Sequence, residues 1–189
     1  MQRLVQQGLA ATCAVGVLIL TGCGTPPQAP PDAPGGFRSI DPNEIRTDPP
    51  VDPPSGAEFT LDQAAVFDDG VRFEVSSIAA GEATSTQTGA EGTDGHVVTA
   101  EITVTNGSDT AFDLAPIRVW GYYDEIGAPM IVDSTGAVGD RFAGTAEPGQ
   151  AARARFGFAM PSEGFETVTI MIDGGTADHG IMQFRGPIG

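Results

Sequence analysis

Two histidines and a scatter of carboxylates are the residues with which this chain could do metal or acid–base chemistry. His96 follows Asp94-Gly95 and His179 follows Asp178, so each imidazole sits beside a carboxylate able to orient it or to share a ligand. Met182 lies three residues beyond His179. Brought together by the fold, His96, His179 and Met182 would offer nitrogen and sulfur ligands of the kind that hold zinc or copper, which is the alternative expectation for this chain. The leading expectation is that both histidines are exposed loop residues. Asp68-Asp69-Gly70 and Asp173-Gly174-Gly175 lack the alternating carboxylates of a calcium loop and read as turns. No Gly-x-Ser-x-Gly elbow singles out a serine nucleophile, and carboxylate pairs are common by chance in so acidic a chain. No catalytic residue, cofactor or enzymatic reaction is expected.

The other reactive group is a thiol, and its position is informative. Arg3 is followed by an uncharged, largely apolar run from Gly8 to Leu20, then Thr21, Gly22 and Cys23. This is the layout of a secretory signal. The run falls short of the roughly 20 apolar residues a membrane-spanning helix requires. Leu20-Thr21-Gly22-Cys23 resembles the lipobox of bacterial lipoproteins. The resemblance implies diacylglycerol attached to the Cys23 sulfur, removal of residues 1–22, and anchoring on the extracytoplasmic face of the cell membrane. Two acyl chains give the stable attachment that one does not, at about 0.8 kcal/mol per buried CH₂.

Nine arginines and no lysine stand against 25 acidic residues, for a formal net charge of −16. Such a surface repels nucleic acid and gains nothing from anionic headgroups, so the expected membrane contact is the acyl anchor alone. Cys13 and Cys23 both precede any folded segment, so no internal disulfide is expected and the fold must rest on an apolar core. Residues 23–56 carry ten of the 15 prolines, among them Pro49-Pro50 and Pro53-Pro54, and read as a disordered tether. Phe37, Ile40 and Ile45 interrupt its polar run and are expected to be solvated, the alternative being that they dock on another surface.

From residue 57 to 189 the hydrophobic period is two. Val71, Phe73 and Val75 alternate with polar residues after the Asp68-Asp69-Gly70 turn, and Phe59 with Leu61 suggests an earlier strand that pairs with them. Gly81 to Gly95 has no periodicity and reads as a mobile loop, the first candidate for partner contact. Val98, Ala100, Ile102 and Val104 form the clearest strand, and Asn106-Gly107-Ser108 turns it, with Phe112 and Leu114 beginning the return. That triplet spells a glycosylation acceptor but is accounted for as a turn.

Ile117 to Tyr123 carries large groups on both faces, and Trp120 and Tyr122 share one of them. The pair is expected in the core, the alternative being an exposed platform for sugar rings. Met130 to Val132 reads as a short partner at an edge, and Ala137 to Ala146 as an irregular loop. Ala154-Phe156-Phe158, Val168-Ile170-Ile172 and Ile181 to Phe184 complete an all-β sandwich.

The order of Val71-Arg72-Phe73-Glu74-Val75, of Val98 to Asn106 followed by Phe112-Asp113-Leu114, of Pro148-Gly149 before the strand ending Phe158-Ala159-Met160-Pro161, and of Val168 to Ile172 resembles a family of bacterial extracellular domains found on lipoproteins. The resemblance implies an immunoglobulin-like antiparallel β-sandwich like that of the mycobacterial immunoprotective secreted antigen, and brings no reaction or catalytic residue with it. The expected activity is therefore binding, to a protein or cell-envelope partner. Cys23→Ala is expected to move the protein from the membrane fraction to the soluble extracytoplasmic fraction, as read by salt-washed fractionation.

Overall fold

The strongest alternating run in the sequence becomes the inner strand on which a sheet is assembled. In the computed structural model, which describes residues 55–139 and 141–189, thirteen strands follow in order. They are β1 (Ala57–Thr60), β2 (Ala64–Val66), β3 (Arg72–Glu82), β4 (Gln87–Thr88), β5 (His96–Thr105), β6 (Phe112–Asp113), β7 (Arg118–Tyr123), β8 (Ile126–Ala128), β9 (Val132–Asp133), β10 (Thr145–Ala146), β11 (Ala151–Ala159), β12 (Val168–Asp173) and β13 (Ile181–Gly186). Leu20 to Cys23 and the prolines of the tether lie outside the described residues.

One sheet has the order β11-β5-β3-β2 and the other β1-β13-β12-β7-β8. Val98, Ala100, Ile102 and Val104 of β5 are fully buried, and they meet Ile170, Ile172, Met182 and Phe184 of the facing sheet in one apolar cluster. The architecture is the expected all-β sandwich. Gly121 packs directly against the facing sheet, since a Cβ there would lie 2.6 Å from Phe158 Cγ and 2.9 Å from Met160 Cε. Glycine serves at this point because it has no side chain to hold the sheets apart.

Four pairings differ from the sequence reading. The strand containing Phe59 joins the opposite sheet, where β1 lies parallel to β13 and Phe59 stacks on Phe184 at 5.3 Å. The partner that the Asp68-Asp69-Gly70 turn delivers to β3 is instead the three-residue β2. Phe112 returns to β10 through β6, and the partner of β7 is Ile126–Ala128, with Met130 bridging to Phe158. Period two identifies a strand but does not specify its neighbour, because both faces of the sandwich accept the same apolar pattern.

The two expected loops are held against the domain. Ala83 to Gly95 contains β4, a 3₁₀ turn at Glu91–Thr93 and the buried Ala90, which packs with Val97, Ile131 and Ala159 in a second small cluster. β4 pairs with β9. In the Ala137 to Ala146 stretch, Val138 and Phe142 are buried, and Phe142 lies 5.8 Å from Phe156.

Asn106 is fully buried at the end of β5. Its amide donates to the carbonyls of Thr110 and Ala146, both at 2.7 Å, and its Oδ1 accepts from the Ser108 amide at 3.0 Å and hydroxyl at 2.7 Å. A side chain so committed is the turn's scaffold and is closed to glycosylation. Asn106→Ala strands those backbone groups and is expected to lower stability by about 2–4 kcal/mol in urea unfolding, with little change in slope.

Candidate functional site

His179 is the most heavily engaged of the residues singled out by chemistry, and it is buried rather than exposed. β12 ends at Asp173, whose Oδ1 accepts from the Gly175 amide at 2.9 Å and so closes the turn toward β13. That turn carries Thr176, whose hydroxyl lies 2.8 Å from His179 Nδ1 and accepts from the His179 amide at 3.1 Å. The other ring nitrogen, Nε2, is 3.0 Å from Asp69 Oδ2. Phe67, Phe73 and Phe112 surround the imidazole, with ring centroids at 4.7, 6.4 and 5.0 Å.

Both ring nitrogens are thus occupied, one by a hydroxyl and one by a carboxylate, while phenyl rings cover the apolar parts. The hydroxyl, imidazole and carboxylate look superficially like a catalytic relay. Their work is to fasten the β2–β3 turn to the β12–β13 turn, because the ring is enclosed by three phenylalanines and the threonine oxygen is already accepting a backbone proton. Asp68-Asp69-Gly70 is a turn as expected, and Asp69 Oδ1 also accepts from the Val71 amide at 3.0 Å. Burial acts to raise the Asp69 pKa, but the Val71 amide and His179 together outweigh it and hold the carboxyl below its ordinary value of 3.8.

His96 lies at the other end of the sandwich. It begins β5 opposite Glu82, the last residue of β3, whereas Asp69 precedes the first residue of β3. The two histidines are therefore separated by the length of β3, on the order of 30 Å. His96 is half-buried with its ring edge-on to Phe165 at 6.1 Å. Met182 is a core residue of β13. The fold does not bring His96, His179 and Met182 into one ligand set, and among the described residues no three His, Cys, Asp or Glu side chains are placed to hold a metal.

Trp120 and Tyr122 point to the outer face of the five-stranded sheet, away from the core that receives Val119 and Gly121. The expectation that they lie between the sheets is corrected. Yet Tyr122 is only 1% exposed, and burial pushes its hydroxyl pKa up to about 12.

The feature that sequence reading missed is a sheet edge. β2 covers only Arg72 to Glu74 of β3, and a bulge between Val75 and Ser77 follows at once. From Ser76 to Glu82 no described residue pairs with the outer side of β3, and its residues are exposed apart from the half-buried Ile78. A groove of about 620 Å³ runs beside this edge, between Val75 to Ala80 on one side and Leu61 and Pro187 to Gly189 on the other. The opposite edge of the same sheet is closed over Arg155 to Ala159. Ile131 donates to the Gly157 carbonyl, Gly139 to that of Arg155, and Ala159 to that of Pro129, at 2.7–2.8 Å. Only the absence of lysine and proline from Ser76-Ser77-Ile78-Ala79-Ala80-Gly81 hinted at an unguarded edge.

No family model and no curated protein matches the sequence, so the resemblance to the mycobacterial antigen has no support at the level of sequence. Solved structures are similar in fold. The yjhA protein from Bacillus subtilis matches with a TM-score of 0.54 at 10% identity, covering 67% of this chain and 97% of that one. The ycdA protein of the same organism, a candidate lipoprotein, matches at TM-score 0.45 and 7% identity over 67% of this chain and 38% of that one. An uncharacterised β-sandwich protein from Clostridium difficile matches at 0.42 and 11%, over 72% and 98%. The chain shares an all-β sandwich architecture with bacterial proteins of this kind.

Because the Asp69 pKa is depressed in the folded state, its contribution to stability is complete above 3.8 and is lost as pH falls through the folded value. Asp69→Asn is expected to be less stable than the parent at pH 7 and to show a flatter decline between pH 5 and pH 2. Urea midpoints measured across that range check both.

Proposed function

We propose that this chain is a lipid-anchored, extracytoplasmic binding domain that takes up an extended segment of a protein partner by strand addition along β3. Cys23 and the apolar run before it support the anchor, and a proline-rich tether would hold the domain away from the headgroups, since such linkers extend at up to about 3.1 Å per residue. The observation that carries the binding mode is the contrast between two stretches of edge in one sheet: β11 is closed over Arg155 to Ala159 by backbone hydrogen bonds with the 129–139 segment, while no described residue pairs with β3 over Ser76 to Glu82, beside which a groove runs.

An unpaired edge offers a row of amide donors and carbonyl acceptors. A peptide laid along it completes the ladder, and alternate side chains reach the groove for specificity. The small side chains of Ser77, Ala79, Ala80 and Gly81 leave the backbone accessible. The acidic surface favours partners with basic flanking residues and disfavours nucleic acid. No catalytic step is part of this reading.

A photo-crosslinking residue at Ala80, in the anchored protein on intact cells, is expected to give an adduct of discrete mass. The same residue at Arg155, exposed on the closed stretch of β11, is expected to give none. The Ala80 adduct should disappear in the Ser77→Lys, Ala79→Lys variant, since edge lysines oppose strand pairing. Equal adducts at both positions, or an Ala80 adduct indifferent to the lysines, would sink the strand-addition reading.

A further inference from the structure

The hydrogen bonds of the four-stranded sheet determine which residues of β3 an added strand would meet. In an antiparallel ladder a residue directs its amide and carbonyl to the same side, and successive residues alternate sides. On β11, Arg155, Gly157 and Ala159 bond to the 129–139 segment, so Ala154, Phe156 and Phe158 turn toward β5, where they face Ile102, Ala100 and Val98. The residues between these, Glu101, Thr99 and Val97, therefore bond to β3, and they stand opposite Ser77, Ala79 and Gly81. The Ala83 amide, donating to the Gly95 carbonyl at 2.8 Å, continues the same alternation. Ile78, Ala80 and Glu82 are left with their amides and carbonyls directed out of the sheet.

The same three residues share the face that looks toward the other sheet. Ile78 stands opposite Ala100 and Ala80 opposite Val98, and both partners are core residues. Val71, Phe73 and Val75 hold the inward face before the bulge, and the residue inserted there hands that face to Ile78 and Ala80. Across the groove lie Leu61 and Ile188, which pack with Ile78 at the margin of the core. A strand paired with Ile78, Ala80 and Glu82 places the side chains directly opposite them on this face, in the groove. Its intervening side chains point away, beside Ser77, Ala79 and Gly81.

The groove is apolar along its length and acidic where β3 ends. Its lining on β3 stops at Ala80, and Glu82 is the next residue on the same face. Among the described residues no hydrogen bond or ion pair engages the Glu82 carboxylate. His96, opposite it on β5, packs edge-on to Phe165. Both neighbours of β3 run antiparallel to it, and antiparallel pairing is the more stable per residue. A strand entering in that direction passes Glu82 first, then Ala80, then Ile78.

We propose that the segment taken up along β3 is antiparallel and carries, in order, a lysine or arginine, any residue, an apolar residue, any residue and a second apolar residue. The basic side chain meets Glu82, and the two apolar side chains enter the groove opposite Ala80 and Ile78. The assignment rests on strand addition along β3 and adds to it the direction, the phase and the chemistry of the partner.

The probe is a library of peptides with seven random residues, displayed on phage and selected on the full chain, on its Ser77→Lys, Ala79→Lys variant and on Glu82→Lys. The parent is expected to enrich the basic-x-apolar-x-apolar order, and the double-lysine variant to lose that enrichment. Glu82→Lys, at an exposed strand end, is expected to exchange the basic residue for aspartate or glutamate and to keep the apolar pair. Edge-dependent sequences without this order, or a first position indifferent to Glu82→Lys, overturn the assignment and leave strand addition standing. Sequences enriched equally on the double-lysine variant, or none enriched on any form, overturn strand addition with it. Dimerisation of the full chain that the two lysines abolish, read by sedimentation, places a second copy on the edge and overturns the assignment as well.

Discussion

The two sheets are held together chiefly by apolar contact across the core, with the Asp69–His179 contact tying them at one end. Both cysteines precede the domain, so no disulfide joins the sheets, and stability depends on how closely they approach. At one point Phe158 of β11 rests against the bare backbone of Gly121 in β7. Any side chain at 121 would displace a fully buried ring or the sheet behind it, and close packing leaves no free volume to absorb the change. The fully buried valines and isoleucines of β5 and β12 find their partners only because this spacing is kept.

Polar residues govern the ends of the sandwich, where the chain leaves one sheet for another. Asn106 satisfies four backbone or hydroxyl partners from inside a turn, and His179 joins two turns more than a hundred residues apart through Asp69 and Thr176. Both side chains are buried, and burial without partners would be costly; with partners, each fixes a loop in a single arrangement. Among the described residues no buried side-chain nitrogen or oxygen lacks a partner. Burial also explains why His179, which offers a ligand on paper, is spent on structure. Its two nitrogens and its ring faces are already engaged.

Strand edges and faces divide the surface by a similar logic. The 129–139 segment closes β11 over Arg155 to Ala159 with backbone hydrogen bonds, whereas β2 covers only Arg72 to Glu74 of β3. An uncovered edge invites pairing, and the bulge after Val75 limits that invitation to the stretch beyond it. On the other sheet the outward-pointing Met171, Tyr122, Thr169 and Gln183 are buried, whereas Ser76 to Glu82 of β3 have no pairing partner among the described residues.

Much of the fold was legible in the sequence, because alternation is a local property. Val98 to Val104, Ile117 to Tyr123, Ala154 to Phe158 and Val168 to Ile172 announce strands by period two, and Asp68-Asp69-Gly70 and Asn106-Gly107-Ser108 announce turns by residue chemistry. The packing of the Gly81 to Gly95 loop was not legible, because its anchoring residues, Ala83 and Ala90, are small and their partners Ile131 and Ala159 are distant in sequence. The open edge of β3 was invisible for the same reason, since it results from where β2 stops. Sequence by itself determined the all-β class, the strands and the turn chemistry. Tertiary structure alone decided that β1 pairs with β13, that His96 and His179 stand a strand's length apart, that Tyr122 is buried outside the core, and which edge remains open. Those outcomes depend on packing between segments far apart along the chain, and a pattern of neighbours cannot encode which distant surface will be met.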